Sequence, residues 1–285
     1  MNNSIYAKKI RPWDMFMMSL VILSAVISVG IVAGIIGYVA YRGIGVINWQ
    51  FLSTVQSALE GTFGILGNIV NTLYIIVITL LIATPIGIGA AVYLTEYAKR
   101  GKIVQLIEFT TETLAGIPSI IYGLFGMVFF GIAMKLKFSI LCGSLTLTIM
   151  VLPIIIRTTQ EALKAVPFSY RSGALGIGAT KWYMIRTIIL PSAMPGILTG
   201  VILSIGRIVG ESAALLFTAG SAYLLPKSLF SHMFTSGGTL TIQLYLSMSK
   251  ADYKNAFGIA LVLLIIVLGI NALAKFAASR VKTGK

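Results

Sequence analysis

The sequence predicts an all-α polytopic membrane protein with six spans and one long polar loop between the fourth and fifth. Three observations predict it. Hydrophobic residues make up 57% of the 285-residue chain and charged ones only 11%, against about 25% charged in an ordinary soluble domain. The apolar residues fall in runs of about 20 residues, long enough to cross a hydrocarbon core of ~30 Å as helices. The basic residues gather in the stretches between the runs, with an excess on one side. Mean hydropathy is +0.95, so residues 1–285 read as a single membrane unit and not as a string of soluble domains.

The first span is expected at about 15–40, behind Lys8, Lys9 and Arg11. It is far longer than a signal-peptide core of ~7–15 residues, so it reads as uncleaved. A polar, glycine-containing segment follows at 42–67. The second span covers about 69–94 and holds Pro85, a candidate kink. A polar connection at 96–111 carries Lys99, Arg100 and Lys102. The third span, about 113–134, turns back sharply through Lys135 and Lys137 into the fourth, about 138–156, which holds Pro153. The long loop occupies 157–191. The fifth span covers about 193–218. A Ser-, Thr- and Gly-rich segment at 219–254 includes a weakly alternating stretch, 239–248, readable as a re-entrant or interfacial piece. The sixth span, about 256–276, precedes Arg280, Lys282 and Lys285.

Six spans put both termini on one side. That side then holds fifteen of the 22 Lys and Arg and the other side six, with Arg207 inside a span. The bias predicts cytoplasmic termini and a cytoplasmic 157–191 loop in a multi-pass protein of the cell (inner) membrane. The formal charge of +14 therefore belongs to membrane topology. The charge positions point to a membrane-lipid setting and to no nucleic-acid partner. One cysteine, Cys142, and one histidine, His232, offer neither a disulfide nor a metal cluster. Without GxxxxGK[ST] or HExxH the chain reads as neither an ATPase nor a metalloenzyme, and no catalytic residue, metal or cofactor is expected.

Within the long loop, Gly176 and Gly178 favour a tight bend, since glycine reaches positive φ without a Cβ clash. About two helical turns can precede them. A helix can restart at Lys181 and be interrupted by Pro191. The expected product is a helix–bend–helix knob with Ser172, Gly173 and Ala174 on view, small enough to enter another protein's groove. The bland alternative is an ordinary interhelical loop.

Two ionisable groups, Arg207 and Glu211, fall inside the fifth span, where a charge costs about 2.5–3.5 kcal/mol on insertion scales. At i, i+4 on a continuous helix they share one face. They read either as a structural ion pair or as part of a substrate pathway, in which the planar arginine fork meets an oxyanion. Gly196, Gly200 and Ser204 form a small-residue face suited to close packing, as in a pore-lining helix of a dimer. Asn68, Asn71 and Thr72 read as caps of the second span, or as lining of its outer mouth. Glu108 and Glu112 precede the third span and suit its helix dipole.

The loop resembles the coupling loop of ABC-importer permeases, whose pattern is Glu-Ala-Ala, three residues, Gly, nine residues, Ile, one residue, Leu-Pro. Ala174, Gly178, Ile188, Leu190 and Pro191 are in register, while Ser172 and Gly173 replace the first Glu and Ala. Further stretches are similar to the phosphate-importer permease family of the PstA type. They are Asn-Thr-Leu-Tyr at 71–74, Gly-Ile-Gly-Ala-Ala-Val-Tyr-Leu-Thr-Glu-Tyr at 87–97, Leu-Ala-Gly-Ile-Pro-Ser-Ile-Ile-Tyr-Gly-Leu-Phe at 114–125 and Gly-Arg-Ile-Val-Gly-Glu-Ser-Ala-Ala-Leu-Leu-Phe-Thr at 206–218. The resemblance implies the MetI-like, type I importer fold and transport of inorganic phosphate by alternating access. It implies a PstC-type sister permease, two PstB-type ATPase subunits and an external PstS-type phosphate-binding protein. It places the ATPase contact at Ser172, Gly173, Ala174, Gly178, Ile188, Leu190 and Pro191, and the pathway at Arg207 and Glu211. A permease for another oxyanion such as sulfate or molybdate stays open, as does a proton-driven carrier. The absence of a visible repeat between the halves weighs against the carrier.

Overall fold

The computed structural model describes residues 12–57, 62–99, 101–226 and 228–282, with side chains described as far as 276. Lys8, Lys9, Arg11, Arg100, Lys227 and Lys285, and the side chains of Arg280 and Lys282, lie outside the described residues.

Helix α1, Pro12–Gly43, is followed by a short helix α2, Trp49–Ser53, and a two-stranded antiparallel ribbon, β1 Val55–Ser57 and β2 Thr62–Ile65. Helix α3, Leu66–Val92, continues through a π-turn, Tyr93–Tyr97, and runs through Pro85 unbroken. Helix α4, Lys102–Ala115, and helix α5, Ser119–Gly126 with its π-turn Met127–Ala133, meet at a bend of 102°. Helix α6 is Ile140–Lys164 and α7 is Phe168–Gly176. Helix α8, Lys181–Met184, passes through a π-turn, Ile185–Ile189, into α9, Leu190–Val209. Three short helices, α10 Ala213–Leu216, α11 Leu229–His232 and α12 Leu240–Ser249, lead to α13, Tyr253–Lys282. Among the described residues five helices are long and apolar enough to cross a membrane, or six with the bent α4–α5 pair as one span.

The expected third span, 113–134, is the main departure. Gly116, Ile117 and Pro118 break it, because Pro118 disfavours helical backbone in the residue before it. Tyr122 clasps the bend by donating its hydroxyl to the Leu114 carbonyl at 2.8 Å. The apolar half, 119–133, rises only ~22 Å. The polar half, α4, buries no residue. The fourth span runs two turns past its expected end at 156, so Arg157 to Lys164 are helical and not loop. The fifth begins earlier and ends at Val209, nine residues before the expected 218. Pro191 does not interrupt it. The π-turn just before widens the helix where the proline lacks its donor.

The core is the packing of α3, α6 and α9, with Ile75, Leu147, Val151, Ile155, Ile208 and Val209 buried together. Glycines permit the close approach. A Cβ on Gly87 would sit 2.6 Å from Ile155, and one on Gly200 would run into Thr158. The small-residue face of α9 is therefore filled by α6 of the same chain, and not by a second subunit. Helix α1 stands apart, with only its last residue, Gly43, buried, against Phe257 and Leu261 of α13. Tyr38 meets Phe257 edge-on there, with Arg42 over both rings.

Candidate functional site

The elbow between α6 and α9 is built from three local rules. Pro167, at φ −54°, fixes the entry into α7. Gly178, at φ +86°, ends it in a Schellman motif: the Gly178 N–H donates to Leu175 O at 3.0 Å and the Ala179 N–H to Ala174 O at 3.1 Å. Thr180 then caps α8 by accepting the Tyr183 N–H. Gly178 is thus the bend, and Gly176 remains the last residue of α7.

The expected small-residue surface is only partly on view. Ser172, Gly173 and Gly178 are exposed, but Ala174 is 4% exposed and packs against Leu163, Val166, Met184, Ile185 and Ile189. Ala174 faces inward because the Schellman turn folds α8 back over that side of α7. Ile188 and Leu190 are half-buried in the same seam and Pro191 is exposed on the helix beyond it. The outward tip is more apolar than expected, with Ile177 87% exposed beside Phe168 and Leu175. Among the described residues, nothing approaches within 4 Å of the position of a Cβ on Gly173, Gly176 or Gly178.

What holds the elbow was missed in the sequence. Arg171, 15% exposed, donates to Glu96 Oε1 from Nε at 3.2 Å and from Nη2 at 2.8 Å. It also donates to the Val166 and Leu163 carbonyls, both at 2.8 Å, at the end of α6. Glu96 is 6% exposed and lies on the π-turn closing the α3 span. Lys181 adds a cation–π contact to Tyr97, 5.0 Å from the ring centroid. The elbow is therefore fastened to two long helices. Ser172, where the motif's Glu would stand, only bonds back to the Phe168 and Ser169 carbonyls.

Helix α4 is fastened to the same extension of α6. Glu112 pairs with Arg157, and Glu108 faces Lys164 at 3.9 Å and Gln160 at 3.4 Å, around a cleft of about 330 Å³. The two glutamates are thus cross-links between helices, and not dipole partners of the third span.

Arg207 and Glu211 do not form an ion pair among the described residues. The helix ends between them, so their i, i+4 relation does not place them on one face. The Glu211 carboxylate, 6% exposed, turns inward and accepts the Ala214 N–H at 3.1 Å, capping α10. Its carbonyl accepts the Thr241 hydroxyl at 2.8 Å, which ties α12 to this corner. Arg207 is exposed in the last turn of α9, flanked by Gly206 and by Gly210 at the helix end.

On the side away from the elbow, Asn68, Asn71 and Thr72 are buried and do not cap α3, whose cap position is held by Ile65. Asn68 and Asn71 donate to carbonyls of the 222–238 loop, and the Thr72 hydroxyl accepts the Leu240 N–H. With its amide committed to those carbonyls, Asn71 Oδ1 accepts His232 Nε2–H at 2.8 Å. Helix α12 inserts beside them and buries Leu240 to Gln243, so the re-entrant stretch is a helix and does not alternate.

Membrane-length helices packed around one core, with an apolar-tipped elbow at one end and the exposed Arg207 in the last turn of α9, define a polytopic membrane protein. Residues 83–283 match the family described as the binding-protein-dependent transport system inner membrane component, and the chain belongs to that family. It is 38% identical over 198 residues to the probable ABC transporter permease protein YqgI of Bacillus subtilis, covering 70% of this chain and 67% of that one. It is 33% identical over 239 residues to the phosphate transport system permease protein PstA 1 of Mycobacterium tuberculosis, covering 83% and 75%. Its fold matches a chain of the bacterial alginate ABC transporter, with a TM-score of 0.68 at 16% identity over 94% of this chain and 95% of that one.

Proposed function

We propose that this chain is the PstA-type permease subunit of an ATP-driven importer of inorganic phosphate, and that it moves phosphate by alternating access. In this reading a PstC-type sister permease completes the pore, two PstB-type ATPases supply the stroke and a PstS-type protein delivers phosphate at the far face. The chain performs no covalent chemistry. ATP closure pushes the elbow, Arg171 and Glu96 carry the push into α6 and α3, and the pathway changes the side on which it opens. The elbow side is then cytoplasmic and the termini lie with it.

The observation that carries the substrate is Arg207, an exposed guanidinium in a costly setting with no carboxylate partner among the described residues. Its donor fork suits a tetrahedral oxyanion. Glu211 acts just beyond the end of α9 as the cap of α10, and not as the arginine's ion-pair partner. ATP-dependent uptake of labelled phosphate by vesicles containing the assembled complex, with and without this chain, tests the reading. Uptake competed equally well by sulfate or molybdate would give the pathway to another oxyanion. The alginate transporter's shared fold favours keeping a different solute as the second reading.

A further inference from the structure

The turn between α5 and α6 is unusual in its residues. Lys135 and Lys137 both sit at positive φ, 59° and 54°. That region disfavours any residue with a Cβ and most often takes glycine or asparagine. The turn is nevertheless rigid. The Lys135, Leu136 and Lys137 N–H groups donate to the carbonyls of Ile132, Phe130 and Gly131 at 3.1, 3.2 and 2.9 Å. Two lysines kept where glycine would be less strained point to a use for their charge, since a strained residue persists where function requires it.

Beside the two lysines lies an apolar groove of about 520 Å³, walled by Met127, Gly131, Ile132, Phe138 and Phe217. Both lysines are exposed and form no ion pair among the described residues. The turn is at the end of α6 away from the elbow, and the 25 residues of α6 rise ~37 Å. The groove therefore lies at the far end of the bundle, with cations at its rim. Long ammonium side chains at such a rim reach the headgroup level.

We propose that this groove is a binding site for an anionic phospholipid, with an acyl chain lying against Ile132, Phe138 and Phe217 and the headgroup phosphate held by Lys135 and Lys137. A free phosphate ion shares the lysine chemistry but has nothing to place against the apolar walls. The lipid, unlike the ion, matches both halves of the site. Bound there, it would brace the outer end of α5 against Phe217, which follows α10 and the corner held by Glu211.

The test uses the assembled transporter in detergent, titrated with phosphatidylglycerol or phosphatidylcholine and read by native mass spectrometry. Phosphatidylglycerol should be retained in preference, and inorganic phosphate at millimolar concentration should not displace it. In the double variant Lys135→Gly, Lys137→Gly retention should fall on the order of tenfold or more, since both cations that would hold the headgroup are gone. That variant relieves the backbone strain, so misfolding does not explain a loss. The variant Lys135→Arg, Lys137→Arg should retain the lipid. Equal retention by the glycine variant, or no preference over phosphatidylcholine, overturns the proposal. So does displacement by inorganic phosphate, which would make the turn a free-anion site. A cysteine at Ile132 that crosslinks efficiently to another subunit of the complex overturns it as well, because the groove is then a protein interface.

Discussion

Replacing Arg171 with methionine removes four donated hydrogen bonds, two to Glu96 and one each to the Val166 and Leu163 carbonyls. It also leaves a carboxylate that is 6% exposed without its counter-charge. Removing one partner of a buried pair costs about 3–5 kcal/mol. Each lost carbonyl bond adds ~1 kcal/mol, offset where water enters the gap. A local loss near 4 kcal/mol is the working figure, and at ~1.4 kcal/mol per decade that is about a thousandfold in the opening equilibrium. The amides to watch are Ile177, Gly178 and Ala179, whose N–H groups close the end of α7. Hydrogen exchange should speed up there by as much as that factor, while amides in the middle of α6 and α9 stay protected. ATP-driven uptake should fall with the bundle intact. The double variant Arg171→Met, Glu96→Leu should regain most of the protection, because an apolar pair leaves no uncompensated charge. It should not regain full uptake if fastening through Arg171 to the α6 carbonyls carries the stroke. Unchanged exchange in the single variant would refute the claim that this pair fixes the elbow.

The remaining predictions concern separate parts of the molecule. Gly173→Trp should leave folding intact, since among the described residues nothing lies within 4 Å of a Cβ at that position, yet lower ATPase co-purification at least tenfold; wild-type yield would remove Gly173 from the contact. Gly178→Val should be worse, because it adds a left-handed backbone penalty of about 1–2 kcal/mol to the same obstruction; thermal melts of the two variants would separate these effects. Arg207→Ala should abolish phosphate uptake while the complex still assembles; normal uptake would take Arg207 out of the pathway. Burial depresses the pKa of His232 on the far-side loop. The unfolded chain then binds the extra proton first, so the stability contribution is complete above the unfolded value of ~6.5 and declines as pH falls below it toward the folded pKa. Hydrogen-exchange protection across 219–239, corrected for the intrinsic pH dependence of amide exchange, should fall between pH 7 and pH 5, and that fall should be absent in His232→Gln; identical protection profiles for the two proteins would contradict the assignment.

Much of the fold was legible because membrane insertion leaves a strong signal in composition and run length. The second, fourth, fifth and sixth spans appear as helices near their expected places. The ends were not legible, because helix continuation is set by partners outside the helix. Arg157 to Lys164 remain helical because Glu108 and Glu112 arrive from α4 to face them. The bend of the third span was written in Gly116 and Pro118 but outweighed by the apolar run on either side. At the candidate site, the Gly178 bend was readable from glycine's freedom at positive φ. The burial of Ala174 was not, since it depends on α8 folding back. Arg171 and Glu96 are 75 residues apart, and each sits in a stretch where surface charges are ordinary. Only Glu96 carried a signal, since it lies within a turn of the end of an apolar run. Arg207 and Glu211 misled because i, i+4 geometry assumes a helix, and Gly210 ends it.

The most direct measurement of the central claim is site-directed disulfide trapping in the assembled transporter, with Gly173→Cys or Ile177→Cys on the elbow and single cysteines on the ATPase. The native Cys142 is buried and gives little background. The account predicts a rapid crosslink from both elbow positions, with an efficiency that changes on adding ATP, and none from a control cysteine at Lys137. No crosslink from either elbow position, in a complex that still hydrolyses ATP and imports its substrate, would contradict it.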